Sequence, residues 1–152
     1  MPRPLRILIV EDEALLSFML QDELQDAGHT VVGIASTSTE AIHLAERTRP
    51  DLALMDIHLL DGPTGVDAAW AIAGGGLAAV LFMTANAKRI PEDFAGAVGV
   101  VAKPYSSNGL TSAIHFVSEA LDGGATPPPP WSLDLAPTLQ PQGDGRIRIG
   151  GA

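Results

Sequence analysis

Four short apolar runs in this chain each end on a residue able to do chemistry. Leu52-Ala53-Leu54-Met55 ends on Asp56, and Ile7-Leu8-Ile9-Val10 ends on Glu11 and Asp12. The run over 77–83 ends at Thr84, and the run over 98–102 ends at Lys103. Continuous apolar runs of this length fit strands of a parallel sheet buried on both faces. The carboxyl ends of such strands share one rim, and open parallel sheets bind ligands there. Three carboxylates on one rim repel unless a cation sits among them. Hard oxygen ligands suit Mg2+, which keeps some of its water and often shares its shell with a phosphoryl group. Lys103, one of only two lysines (the other is Lys88), offers an ammonium that can bind phosphoryl oxygens as a point charge. Thr84 adds a hydroxyl donor. Asp56 in that company can act as a nucleophile and form an acyl phosphate. Taken singly each residue is ordinary, since a strand-end Asp is most often a turn or cap residue. The combined order carries the weight: acid pair, strand-end Asp, strand-end Thr, strand-end Lys-Pro.

The elements that must position these residues alternate along the chain. Residues 5–10 read as a strand. Residues 14–27 read as a helix, with Leu15, Leu16, Met19, Leu20, Leu24 and Ala27 at helical spacing and Gly28 as its stop. Residues 30–34 are β-branched and read as a second strand. Thr37 and Glu40 form a capping box before a helix over 41–47, whose last turn carries Arg47. After the third strand, 52–56, a loop with Asp61, Gly62, Pro63 and Gly65 leads into a short Ala-rich helix over 66–73. Pro91 argues against one long helix in 85–98, so that segment is predicted as about one or two helical turns or irregular structure. Ser106-Ser107-Asn108 can cap a last helix through about residue 121, with Leu110, Ala113, Ile114 and Val117 on one face. Five strands alternating with helices predict an α/β fold, a doubly wound parallel sheet.

A chain of 152 residues is long enough for one domain with a real core. With 46% apolar and only 5% aromatic residues, that core is aliphatic. The absence of cysteine excludes disulfides and thiolate metal sites. His29, His43, His58 and His115 sit on different elements and form no zinc spacing. The net charge of −9 repels phosphate backbones, so no nucleic-acid partner is expected. No apolar run approaches the roughly 18 residues of a membrane span. The run before Glu11 is too short for a secretory signal, which makes the cytoplasm the expected compartment and a membrane partner unexpected. Beyond residue 122 the composition changes. Pro127-Pro128-Pro129-Pro130 and the Pro-, Gly- and Gln-rich remainder predict an extended or disordered tail over 123–152. Within it, Arg146-Ile147-Arg148-Ile149 alternates with period two and could pair with a sheet edge, and Trp131 could dock on the domain.

The runs Ile7-Leu8-Ile9-Val10-Glu11-Asp12-Glu13, Asp51-Leu52-Ala53-Leu54-Met55-Asp56-Ile57, Met83-Thr84-Ala85 and Val101-Ala102-Lys103-Pro104-Tyr105 together resemble the signature of response-regulator receiver domains of two-component signalling. The resemblance covers roughly residues 5–121 and places the receiver domain at 1–122. It implies a flavodoxin-like (βα)5 fold with strand order 2-1-3-4-5. It implies Asp56 as acceptor of a phosphoryl group from a sensor histidine kinase. Mg2+ would be held by Asp12, Asp56 and the backbone carbonyl of His58, with Glu11 acting through water. Thr84 and Lys103 would contact the phosphoryl oxygens, and Lys103-Pro104 is the bond that is cis in the family.

Three features depart from the family pattern. Val100 stands where receivers often carry an aromatic switch residue, so coupling from Thr84 to that position is expected to be weak or absent. The loop after Asp56 has Leu60 in place of a usual proline and looks about one residue longer. The segment before the fifth strand is short on helical pattern. These departures are reminiscent of receivers that work with HWE and related kinases. The tail has too little apolar content for an output domain, so the chain reads as a stand-alone receiver: a phosphorylation switch with a downstream protein partner, or a phosphate sink, and a monomer or weak dimer. Two other readings compete with this one. A Mg2+-dependent phosphohydrolase of the haloacid-dehalogenase type needs an acid two residues after its nucleophile, where His58 stands. A pseudo-receiver lacks the acid pair, the Asp or the Lys, all of which are present. The chain is therefore expected to be a signalling protein and not an enzyme.

Overall fold

A computed structural model describes residues 4–85, 87–123, 128–137, 139 and 149. Its five central strands are β1 (Arg6–Val10), β2 (Thr30–Ala35), β3 (Leu52–Met55), β4 (Ala79–Thr84) and β5 (Gly99–Ala102). They pair in parallel in the order β2-β1-β3-β4-β5, the topology expected. Residues along each strand alternate between two apolar layers. Ile7, Ile9, Leu52, Leu54, Leu81 and Met83 pack with Leu20 and Leu24 on one face. Leu8, Val10, Ala53, Met55, Val80 and Phe82 pack on the other. β3 is buried at every position, which is why it reads as an unbroken apolar run.

Helices α1 (Ala14–Asp26) and α4 (Ser107–Leu121) cover the first face, and α2 (Ser38–Thr48) and α3 (Gly65–Gly74) cover the second. The capping box ahead of α2 forms: Thr37 Oγ1 accepts from the Glu40 N–H at 3.1 Å. Glu40 Oε1 in turn accepts from the Ser36 N–H at 2.8 Å. Ser106 caps α4, its Oγ accepting from the Gly109 N–H at 2.9 Å. The α1 apolar spacing predicts the helix but not its buried face. Ser17, Leu20 and Leu24 are buried, whereas Leu15, Phe18 and Met19 are 72%, 59% and 51% exposed. The apolar stripe is wider than the sheet can cover.

Between β4 and β5, residues 87–98 hold two 3-10 turns, Ala87–Arg89 and Phe94–Gly96, in place of an α-helix. Pro91 interrupts the segment, and Phe94 and Ala95 take positive φ angles of 58° and 52°. Non-glycine residues reach that region at about 1–2 kcal/mol each. The Asp93 carboxylate accepts from the Ala95 N–H at 3.0 Å, and Ala95 is fully buried.

The sheet does not stop at β5. Residues Leu133–Leu135 form β6, antiparallel to β5, and extend the order to β2-β1-β3-β4-β5-β6. Burying Leu133, 4% exposed, contributes about 2 kcal/mol. Trp131, a candidate for docking on the domain, is instead 85% exposed. Of the alternating Arg146-Ile147-Arg148-Ile149 stretch only Ile149 lies within the described residues, half-buried against the core.

Candidate functional site

Sheet register brings the strand ends together. Val10 lies beside Met55, and Met55 beside Phe82, so Glu11 and Asp56 are each one residue past a paired position. The backbone fixes them: the Glu11 N–H donates to the Ala35 carbonyl at 2.9 Å and the Asp56 N–H to the Val10 carbonyl at 3.0 Å. Lys103 follows β5 immediately, with its N–H on the Thr84 carbonyl at 2.9 Å. The Lys103-Pro104 bond is cis.

The side chains converge. Lys103 Nζ lies 3.0 Å from Glu11 Oε1 and 3.0 Å from Asp56 Oδ2. Asp56 Oδ1 accepts from the Ile57 N–H at 2.7 Å. Carboxylate oxygens of Glu11, Asp12 and Asp56 all lie within 4.8 Å of one another. Thr84 is buried at the end of the next strand, while the His58 side chain is exposed beyond Asp56. Every rim residue expected from sequence is therefore in one neighbourhood. The other histidines are not: His29 Nδ1 accepts from the Leu5 N–H at 3.0 Å, and His43 and His115 are exposed.

One ammonium does not balance three carboxylates. The Glu11 side chain is 1% exposed. Its burial, then its hydrogen bond to Asp56, push its carboxyl up to about 7 against the pull of Lys103. Burial also opposes charge on Asp56, but hydrogen bonds from Glu11 and Lys103 outweigh it and hold this carboxyl below the usual range. Desolvation likewise works against the Lys103 ammonium, and contact with Asp56 and Glu11 wins, raising it. The pair thus favours the proton on Glu11 and the charge on Asp56. An aspartate that stays ionised is the form that can attack an electrophile.

The donor set fits a hard divalent cation. All three acids offer oxygen, and Glu11 Oε2 is buried and accepts from no donor among the described residues. An orphaned buried carboxylate oxygen is costly unless something polar meets it, and oxygen-only ligation at a phosphoryl site suits Mg2+.

Two positioning features escape sequence reading. At Gly65, the first residue of α3, an added Cβ would overlap the Asp56 carbonyl oxygen and lie 2.6 Å from Ile57 Cα. The Gly65 N–H also donates to the Ile57 carbonyl at 2.9 Å. The α3 N-terminus thus packs directly on the backbone of the reactive aspartate, which only glycine permits. The signal available was one glycine among several in a loop. The second feature is Asp61. It accepts from Ser38 Oγ at 2.5 Å and Thr64 Oγ1 at 2.6 Å, and these bonds draw its carboxyl down to about 2. They tie the loop after β3 to the start of α2.

Beside Lys103 opens a hollow of about 360 Å3, lined by Leu16, Met19, Ala85, Pro104 and Tyr105, with Glu23 at its wall. Burial, then the Glu23 charge, push the Tyr105 hydroxyl up to about 12, so it remains a donor at neutral pH. The exposed Leu15, Phe18 and Met19 of α1 continue this apolar surface.

Residues 7–115 match the family model described as the response regulator receiver domain. The chain is 39% identical over 116 residues to the transcriptional regulatory protein PdtaR of Mycobacterium tuberculosis, covering 74% of this chain and 56% of that one. It is 37% identical over 114 residues to the phyllosphere-induced regulator PhyR of Methylorubrum extorquens, covering 71% and 41%. The chain thus spans about half the length of these two relatives. Against the chemotaxis protein CheY of Thermotoga maritima it is 30% identical, covering 75% of this chain and 98% of CheY. Among solved structures, the receiver domain of Erythrobacter litoralis PhyR superposes with a TM-score of 0.67 at 33% identity, covering 75% of this chain and 89% of that one. The strand-end constellation, the sheet order and these relatives agree: this chain belongs to the response-regulator receiver domain family.

Proposed function

We propose that Asp56 accepts a phosphoryl group from a sensor histidine kinase and that the chain works as a phosphorylation switch or as a phosphate sink for that kinase. The observation that carries this reading is Lys103 Nζ at 3.0 Å from both Asp56 Oδ2 and Glu11 Oε1, at the mouth of the three-acid cluster. An Asp56 oxygen attacks phosphorus of the donor's phosphohistidine. A P–O bond forms, the P–N bond breaks, and the imidazole nitrogen keeps the bonding pair and takes a proton from solvent. Lys103, with three N–H donors, turns one toward the incoming oxygens while staying paired with Glu11. The Thr84 hydroxyl donates to another of those oxygens from the neighbouring strand end. The Ile57 N–H steadies the carboxylate oxygen it already contacts. Mg2+, held by Asp12, Asp56 and the His58 carbonyl with Glu11 acting through water, would offset the charge gathered on the phosphoryl group.

The donor needs a docking face beside Asp56. The exposed Leu15, Phe18 and Met19, continuous with the hollow at Pro104 and Tyr105, support one on α1. The departures at Leu60 and Val100 support a donor among HWE and related kinases. Acetyl phosphate with Mg2+ tests the chemistry: intact mass should show a single added phosphoryl group on the native chain. Steady multiple turnover of a chromogenic phosphate ester would instead favour the phosphohydrolase.

A further inference from the structure

The outer edge of β5 is already occupied by the chain's own tail, and its surface is shaped for an extended strand. β6 pairs Gly99 with Leu135, Val100 with Asp134, and Val101 with Leu133. Beyond the ladder, the Ala136 N–H donates to the Val98 carbonyl at 2.9 Å, and Ser132 Oγ donates to the Gly109 carbonyl at 2.7 Å. Leu133 and Ala136 are buried, whereas Asp134 between them is exposed. Two glycines make the seat. An added Cβ at Gly99 would lie 2.5 Å from the Asp134 carbonyl oxygen and 2.9 Å from Leu133 Cδ1. At Gly109 it would lie 3.2 Å from Ser132 Cβ. Glycine weakens a strand on its own account, so Gly99 is best explained by the Asp134 backbone that approaches it, while at Gly109 the Ser132 side chain and the Ser106 cap, 3.0 Å away, share the space.

The attachment itself is slight. Among the described residues 130–137 it comprises three ladder residues, the buried Leu133 and Ala136, the half-buried Leu135 and the Ser132 hydrogen bond, with Leu139 and Ile149 also packed against the same core. Elements held by so few contacts open locally, well below the cost of global unfolding.

We infer that the β5 edge is a strand-addition surface for a protein partner, and that residues 131–136 cover it in cis. Pairing by strand addition takes its affinity from the backbone and its selectivity from alternate side chains. The strap therefore defines the partner's chemistry. It is an extended segment antiparallel to β5, with a small residue over Gly109, leucine at the place of Leu133, a solvent-facing residue next, and alanine at the place of Ala136. Trp131, Ser132 and Asp134 share a hollow of about 160 Å3 with Ala102, Pro104 and Tyr105. A partner on this edge lies against the loop that begins at Lys103.

A fluorescent synthetic peptide of residues 130–137 tests this against two full-length proteins. One is the native chain. The other carries Leu133→Asp and Ala136→Asp, which unseat the strap and leave β5 intact. The peptide should bind the variant at least about tenfold more tightly, because the seated strap reduces the competent fraction. Adding Gly99→Ala to the variant should abolish binding. Equal binding to both proteins, no binding to a folded variant, or binding that survives Gly99→Ala would overturn the inference. If the double variant does not fold, hydrogen exchange on the native chain decides. The Ala136 amide should exchange while the β4–β5 amides stay protected. Exchange of Ala136 only with global unfolding would refute a displaceable cover.

Discussion

The carboxyl rim and the outer edge of β5 meet at Lys103, yet they are held in different ways. At the rim, Glu11, Asp56 and Lys103 each hang from a backbone hydrogen bond to a neighbouring element, and their side chains close around a nearly dry carboxyl. Moving any of them disturbs the central sheet. At the edge, β6 rests on three ladder residues, the buried Leu133 and Ala136 and the Ser132 hydrogen bond. It pairs with β5 alone and lies outside the five central strands. The contrast teaches that one strand has two unlike borders: its end holds Lys103 between two carboxylates, and its side carries a short antiparallel strap. Val100, opposite Asp134 and packed in the core with Phe82 and Ala95, has no aromatic ring to swing between the two.

That contrast can be broken by substitution. The largest effect is expected at Lys103. Lys103→Met removes the ammonium shared by two carboxylates and should slow labelling by acetyl phosphate by roughly 100-fold or more. A rate within a few-fold of native would show that the rim does not depend on it. Next is Gly65→Ala, which forces α3 off the Asp56 backbone and should lower stability by about 2–4 kcal/mol in denaturant titration. A smaller loss with unchanged labelling would remove Gly65 from the positioning set. The Leu133→Asp and Ala136→Asp pair should lower stability by less than Gly65→Ala does, and leave labelling near native, if edge and rim are as independent as their construction indicates.

The pH response comes next. Glu11 has its carboxyl raised to about 7 in the folded chain, from an ordinary 4.5. Between those values the folded state binds the extra proton, so the Glu11 contribution to metal-free stability is fully present below about pH 4.5 and is lost as pH rises toward 7, by on the order of 3 kcal/mol. Mg2+ competes with that proton, so its affinity should be stronger at pH 8 than at pH 6. Glu11→Gln should flatten the stability slope, and a slope unchanged by that substitution would assign the titration elsewhere. The smallest effect is Thr37→Ala. Losing the Oγ1 acceptor for the Glu40 N–H should cost about 1 kcal/mol, with no change in labelling.

The rim was legible because burial writes itself as an apolar run, and the polar residue that ends each run marks where the strand leaves the sheet. Asp56, Thr84 and Lys103 are all such endings. The edge was not legible in the same way. A three-residue strand has too little pattern of its own, and the surrounding prolines suggest only extension. What makes β6 a strand is the β5 ladder and the seat at Gly99 and Gly109, both set by tertiary approach. Periodicity likewise overstated the core at α1, where Leu15 and Met19 keep helical spacing yet face outward. Nor does periodicity register how closely Gly65 approaches Asp56 or how dry Glu11 becomes, since both depend on neighbours distant in the chain. Pro91 did foreshadow the missing helix before β5, because its ring excludes a regular one.

The most direct test of the account is phosphoryl transfer to the native chain and to Asp56→Asn, with acetyl phosphate and Mg2+, read by intact mass and peptide mapping. The account predicts one added phosphoryl group on the native chain, mapped to Asp56, and none on the variant. Equal labelling of both proteins, or a folded native chain that stays unlabelled with Mg2+ present, would contradict it.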